Sequence, residues 1–286
     1  MPEIGECYST ASKIPALHKV DQVVLSKNFF KYISKTKNFK KILGDNPVIQ
    51  KPFAYGKSVW IPFLNKEKQG VLVSQMGMSG SWFLNDLGRS KKNDHLTLVS
   101  KKITLRYSDP RMFGKFRIFT FDSKKTSEEM IEIVIKNYNW GIDPYRSSER
   151  QILESLNRWQ KSSKPVKALL LDQNIVFGIG NYLASEILFL AKVHPKIKGN
   201  SLSLENLRNI SRELKKMVDL AVKREGFSFA GGYFHPDGGK GTVAEIIKVY
   251  NKEGIVCPSC REDKIKKINV AGRSTYLCPN CQKEKK

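Results

Sequence analysis

Acidic residues are scarce in this chain. Against 50 Lys and Arg stand only 27 Asp and Glu, a net charge of +23 over 286 residues. An excess of that size points to a polyanionic partner, without choosing among DNA, RNA and an anionic membrane. Long apolar runs are missing, and none approaches the ~20 residues of a membrane span. Met1 to Tyr8 carry Glu3 and Glu6 and no apolar stretch, so no secretory signal is read there and an intracellular location is expected. Cysteine is rare. Cys7 stands alone, and the other four lie in the last thirty residues, which excludes a disulfide framework and points to metal binding in a reducing compartment. No strand–helix alternation is visible, which argues against a parallel sheet, and no internal repeat is present. What remains is a folded chain, 40% hydrophobic and 10% aromatic, too apolar for a basic disordered tail.

The chain falls into a β-rich part and a helical part. Residues 3 to 17 allow an N-terminal helix ending near Pro15. Strand patterns follow at Val20 to Leu25, at Val48 to Leu64 with a turn at Tyr55-Gly56, and at Val71 to Leu84 around QMGMSGSW. Leu96 to Tyr107 and Lys115 to Phe121 alternate as half-buried antiparallel strands do. Helical spacing then takes over at Thr126 to Lys136, Ser148 to Trp159, Gly180 to Lys192 and Ser203 to Arg224, with Thr126 and Ser148 placed as N-caps. Glu225 to Gly241, with Gly231-Gly232 and Gly238-Gly239, reads as a long mobile loop. The expected domains are residues 1–140, 141–250 and 251–286.

The strongest local signal is metal binding. Cys257-Pro258-Ser259-Cys260 and Cys278-Pro279-Asn280-Cys281 are separated by seventeen residues. Each pair bends back on one ion, and four thiolates close a tetrahedral zinc shell with no position for an activated water, so one structural zinc is expected. The alternative is a redox dithiol, which this spacing disfavours. Between the pairs lie Lys264, Lys266, Lys267 and Arg273, a basic hairpin suited to nucleic acid.

The N-terminus reads Met1-Pro2-Glu3. Removal of methionine leaves Pro2 with a free secondary amine. An α-amino group has a pKa of about 7.7–8.0 against about 10.4 for lysine, so a useful fraction is neutral at pH 7. A neutral amine can attack a sugar C1′ and form a Schiff base, with Glu3 moving protons beside it. Taken alone, such a start is common in proteins of every kind.

Matches in order along nearly the whole chain change its weight. They are PEIGE at 2–6, YGK at 55–57, MGMSG at 76–80, DPRMFGKF at 109–116, DQNIVFGIGNYLASEILFLAKVHP at 172–195, and the two CxxC pairs with AGRSTYLC before the second. The chain resembles the Fpg/Nei family of DNA glycosylases. The resemblance implies an α+β multidomain fold: an N-terminal antiparallel β-sandwich with a capping helix, then a helix-two-turn-helix domain and a zinc-finger β-hairpin. It implies a bifunctional DNA glycosylase/AP lyase of base excision repair, acting as a monomer on double-stranded DNA with oxidised bases or abasic sites and cleaving by β,δ-elimination.

The resemblance also implies roles. Pro2 is the nucleophile and Glu3 its acid/base partner, with Lys57 and Arg273 completing the catalytic set; Glu6 belongs to the lesion pocket. Lys57, Asn181 and Arg273 contact DNA backbone, where backbone N–H groups at Gly178-Ile179-Gly180-Asn181 also suit a phosphate oxygen. The plain alternatives are an N-cap for Asn181 and surface positions for Lys57 and Arg273. Met78, Arg111 and Phe113 fill the void left by a flipped nucleotide. By spacing alone, Met78 and Phe113 read as core.

Some positions depart from the family pattern. Residues 4–6 read IGE, Met112 stands where many members have a second arginine, and Gln75 where many have histidine. The Tyr55-Gly56-Lys57 turn leans toward Nei-like members, while Glu225 to Gly241 lies where Fpg-like members carry a lesion-covering lid. No role attaches to Cys7, His18, His194 or His235. Two other readings stay open: a non-catalytic zinc-containing protein that binds damaged DNA, and an RNA-binding protein.

Overall fold

The structure is a computed structural model describing residues 2–36, 38–66, 68–87, 91–228 and 233–284. The chain divides into two compact units, Met1–Tyr138 with Arg224–Thr242, and Asn139–Lys223 with Val243–Lys286.

The first unit opens with helix α1 (Ile4–Lys13). Glu3 and Glu6 form its capping box, with the Glu6 side chain accepting the Glu3 N–H at 2.9 Å. Strand β1 (Gln22–Leu25), a π-helical turn (Phe29–Ile33) and the short helix α2 (Phe39–Leu43) follow. Next come β2 (Val48–Ile49), β3 (Phe53–Tyr55), β4 (Ser58–Leu64), β5 (Gln69–Gln75), β6 (Ser81–Leu84), β7 (Asp94–Val99), β8 (Thr104–Ser108) and β9 (Lys115–Phe121). They form two antiparallel sheets, ordered β1-β7-β8-β6 and β2-β4-β5-β9, with β3 paired to β4. Trp82 of one sheet stacks on Phe116 of the other with ring centroids 5.6 Å apart, and Tyr107 packs on both rings. This is the expected sandwich. Cys7 and Ala11 of α1, with Ile14 just beyond it, enter the same core, and α1 packs on β3 and β4. Helix α3 (Ser127–Tyr138) closes the unit, capped as expected: Thr126 accepts the Glu129 N–H while Glu129 accepts that of Thr126.

The second unit is helical. Helix α4 (Glu149–Leu156) starts from a Ser148–Gln151 capping box and runs into a 3-10 turn holding buried Trp159. Helices α5 (Val166–Leu170), α6 (Asn181–Leu190) and α7 (Leu204–Lys223) complete it, α7 packing on both α4 and α6. Strands β10 (Lys266–Val270) and β11 (Arg273–Leu277) pair as a hairpin, whose core of Tyr276, Cys257 and Cys278 meets Phe189 of α6. The Glu186 carboxyl, fully buried on α6, accepts the N–H groups of Lys248, Val249 and Tyr250 at 2.7–2.9 Å. Leaving those donors unpaired would cost on the order of 1–3 kcal/mol each. Among the described residues no helix is long and apolar enough to cross a membrane.

The sequence pattern missed the π-helical turn, α2 and α5, each only five residues long. Segments that short carry too little periodicity to separate helix from loop.

Candidate DNA-repair site

Pro2 and Glu3 sit immediately before the first turn of α1, and both are buried. Glu6 lies one turn on, 1% exposed, and its second carboxyl oxygen accepts the Phe227 N–H at 2.7 Å. Burial pushes the Glu6 carboxyl above its ordinary pKa, while the backbone N–H groups of Phe227, Glu6 and Glu3 pull the other way. Tyr233 hydrogen-bonds to Thr10 Oγ1 at 2.7 Å and donates to the Glu6 carbonyl at 2.9 Å. Burial drives its phenol pKa upward, so it stays neutral. Lys13 forms ion pairs with Glu225 at 3.1 Å and Asp237 at 3.2 Å.

The described residues of the loop expected at Glu225 to Gly241 carry no helix or strand, as expected, and these contacts hold its two ends. Residues 225–228 and 233–241 are tied to α1 by Glu6, Thr10 and Lys13, and the Thr242 N–H bonds back to the Arg224 carbonyl at 2.8 Å. Gly231-Gly232 lie outside the described residues.

Lys57 is half-buried in the two-residue turn joining β3 to β4. Gly56 precedes it at φ +51°, the backbone a tight hairpin needs at that place. Met78 and Phe113 are 45% and 50% exposed, so neither is core. They occupy two adjacent loops of the first unit, 76–80 and 109–114. The Arg111 guanidinium lies 4.8 Å from the Phe113 ring centroid, placing a cation on an exposed aromatic face. Gln75, at the position where many members have histidine, accepts an Arg117 N–H at 2.5 Å, and Arg117 stacks on Tyr138.

In the second unit Asn181 is the first residue of α6, and Gly180, not Asn181, is the N-cap. The Asn181 amide instead donates to the Ser274 carbonyl at 2.9 Å, fastening α6 to the hairpin. Arg273 is exposed beside that bond. The hairpin tip is Ala271-Gly272 at φ +51° and +75°, a type I′ turn that projects Arg273 at its edge.

The four Sγ atoms of Cys257, Cys260, Cys278 and Cys281 lie within 4.8 Å of one another. Cys257–Cys281 and Cys260–Cys278 are 3.8 and 3.7 Å apart. A Zn–S bond of about 2.3 Å gives a tetrahedral edge of about 3.8 Å, so the four sulfurs fit one zinc. Amide N–H groups of Ser259 and Cys281 point at Cys257 and Cys278 sulfurs, as suits thiolates.

Comparison with known proteins agrees with this geometry. Residues 1–116 match the formamidopyrimidine-DNA glycosylase N-terminal domain, residues 140–230 its H2TH domain, and residues 254–283 the zinc finger found in FPG and IleRS. The formamidopyrimidine-DNA glycosylase of Lactococcus lactis is 33% identical over 215 residues, 74% of this chain and 75% of that one. This chain belongs to the formamidopyrimidine-DNA glycosylase family, the Fpg glycosylases of base excision repair. The Fpg of Thermus thermophilus is likewise 33% identical over 215 residues, 74% of this chain and 75% of its own. The crystal structure of Thermus thermophilus Fpg matches with a TM-score of 0.80 at 28% identity over 100% of both chains. A complex of Lactococcus lactis Fpg with DNA containing N7-benzyl-Fapy-dG matches with a TM-score of 0.83 at 27% identity, covering 99% of this chain and 100% of that one. The four-cysteine module is therefore the Fpg zinc finger, holding one structural zinc.

Two features of the site have no counterpart in the motif reading. One is Asp109 of DPRMFGKF, whose carboxyl accepts bonds from Ser79, Arg111 and Gly114, a cluster that no local motif announces. The other is Tyr233 and Lys13, whose partners are distant in sequence.

Proposed function

We propose that this chain excises oxidised bases from double-stranded DNA and cleaves the strand at the resulting site, with the Pro2 amine as nucleophile. The observation that carries this reading is the place of Pro2-Glu3 at the head of α1, beside the buried Glu6 and the tethered residues 225–228 and 233–241. Once Met1 is removed, the Pro2 nitrogen attacks C1′ as the damaged base leaves. Glu3 protonates the opening sugar ring, and loss of the amine proton gives a Schiff base. The iminium acidifies the C2′ proton, so the 3′ phosphate leaves by β-elimination and the 5′ phosphate by δ-elimination. Glu6 shapes the lesion pocket by fixing the backbone at Phe227.

DNA backbone is held by Lys57, Arg273, Asn181 and the N–H groups at the start of α6. Met78, Arg111 and Phe113 refill the stack when the nucleotide flips out. Zinc supplies folding free energy to the hairpin and takes no part in the chemistry.

Borohydride reduction on abasic or lesion-containing DNA tests the mechanism. A covalent adduct should form and map to the N-terminal peptide. Retained Met1, or a tag ahead of Pro2, should abolish it, because the nitrogen is then an amide. Trapping that survives a blocked N-terminus but is lost in Lys57→Ala would transfer the role to Lys57.

A further inference from the structure

Asp109 is fully buried in the first unit, and nothing in the chemistry above uses it. It stands where β8 ends and the 109–114 loop begins. Its Oδ1 accepts the Ser79 hydroxyl at 2.5 Å and the Arg111 N–H at 3.3 Å. Its Oδ2 accepts the Gly114 N–H at 2.7 Å and the Tyr107 hydroxyl at 3.4 Å. The Ser79 oxygen in turn accepts the Arg111 N–H at 3.2 Å. His95 Nε2 lies 3.0 Å from the Asp109 carbonyl oxygen.

One carboxyl group thus joins two loops. Ser79 belongs to the loop between β5 and β6, next to Met78. Arg111 and Gly114 belong to the loop between β8 and β9, on either side of Phe113. The loops also touch directly. A Cβ at Gly77, whose φ is +67°, would lie 2.6 Å from the Phe113 carbonyl carbon, so glycine is required twice over. At Gly114 a Cβ would overlap the Tyr107 hydroxyl. Met112 adopts φ +55°, which turns the chain between Arg111 and Phe113. Three exposed side chains on two loops are held by a buried acceptor that none of them touches with its own side chain.

We propose that Asp109 is the positioning residue that locks the 76–80 and 109–114 loops into one rigid wedge, so that Met78, Arg111 and Phe113 enter the duplex together. This rests on the void-filling role proposed for those three. A wedge of independent loops would lose ordering entropy each time it entered DNA; a pre-ordered one loses far less. Replacing the carboxyl by an amide presents an N–H where only donors approach, so Asp109→Asn frees one loop from the other while changing little volume.

The test compares Asp109→Asn, Ser79→Ala, Met78→Ala and the double variants of each of the first two with Met78→Ala. Each is assayed on a paired lesion and on a preformed abasic site, and unstacking is followed by 2-aminopurine fluorescence next to the lesion. Asp109→Asn and Ser79→Ala should slow paired-lesion excision by roughly tenfold, the factor for one lost buried hydrogen bond. They should reduce the 2-aminopurine signal and slow abasic-site cleavage by much less. Each double variant should be no slower than its slower single, because a loose wedge gains little from Met78. Additive losses would overturn the proposal while leaving the void-filling role intact. Equal losses on both substrates would mark Asp109 as a general fold determinant and overturn it too. If Met78→Ala itself shows no bias toward the paired lesion, the void-filling role fails and the proposal falls with it. Should Asp109→Asn not fold, Ser79→Ala decides, since it removes only the two bonds of the Ser79 hydroxyl and leaves the carboxyl in place.

Discussion

Glu6 and Phe227 are 221 residues apart in sequence and joined by a 2.7 Å hydrogen bond, the Phe227 N–H donating to a buried carboxyl oxygen. The same carboxyl accepts the Glu3 N–H, so one side chain links the residue next to the proposed nucleophile with the segment that returns from α7. Burial raises the Glu6 pKa in the folded protein. For an acid this means that folding favours the protonated form. The stabilising contribution is present below the unfolded value and is lost as pH rises through the raised folded one. Glu6→Gln carries no such titration. Its stability relative to the parent should therefore improve from about pH 4.5 toward neutrality, measured by denaturant unfolding at several pH values. A difference that stays constant with pH would contradict the raised pKa.

Loss of zinc should separate binding from chemistry. Cys257→Ser breaks the tetrahedral shell, and residues 254–281 have little other core to hold them. Hydrogen exchange should quicken in that stretch, and DNA affinity should fall by an order of magnitude or more, about 1.4 kcal/mol. Metal analysis of the parent protein should give one zinc per chain, and a metal-free parent would refute the zinc assignment.

Salt dependence reports on Arg273. Each neutralised phosphate contributes about −0.9 to the slope of log K against log salt. Arg273→Ala should make that slope shallower by roughly one unit. Unchanged slope and affinity would return Arg273 to the rank of an ordinary surface arginine. Asn181→Ala tests the neighbouring bond: losing the Ser274 anchor should weaken binding through a less ordered hairpin, with a smaller change in slope than Arg273→Ala gives.

Met78→Ala should slow cutting of a paired lesion more than cutting of a preformed abasic site, since an abasic site has no base to extrude. Parallel kinetics on the two substrates are the measurement, and equal losses would argue against a void-filling role. The exposure of Met78 already sets aside the reading that it is core.

Local chemistry was legible in the sequence by itself. Two CxxC pairs announce a metal because ligand spacing is a property of short chain segments, and the cysteine sulfurs do converge. Capping boxes at Thr126 and Ser148 involve residues three apart, so the helix starts could be read directly. Alternating strands showed an antiparallel β-rich half in the same way, while the sandwich was what the family resemblance implied. Tertiary structure alone decided the rest. Spacing alone favoured the core for Met78 and Phe113, and the family resemblance favoured an exposed void-filling place; the fold leaves both half-exposed, on two loops joined at Asp109. For Asn181 the sequence offered a phosphate contact, with an N-cap as the plain alternative; it could not show that the amide goes to a strand 93 residues away. The stretch from Glu225 to Gly241 is glycine-rich, a local property that says loop, but its contacts at Glu225, Phe227 and Tyr233 are to Glu6, Thr10 and Lys13 on α1. Hydrogen bonds and ion pairs between distant segments leave no periodicity in the chain, so they become visible only when the fold brings their partners together.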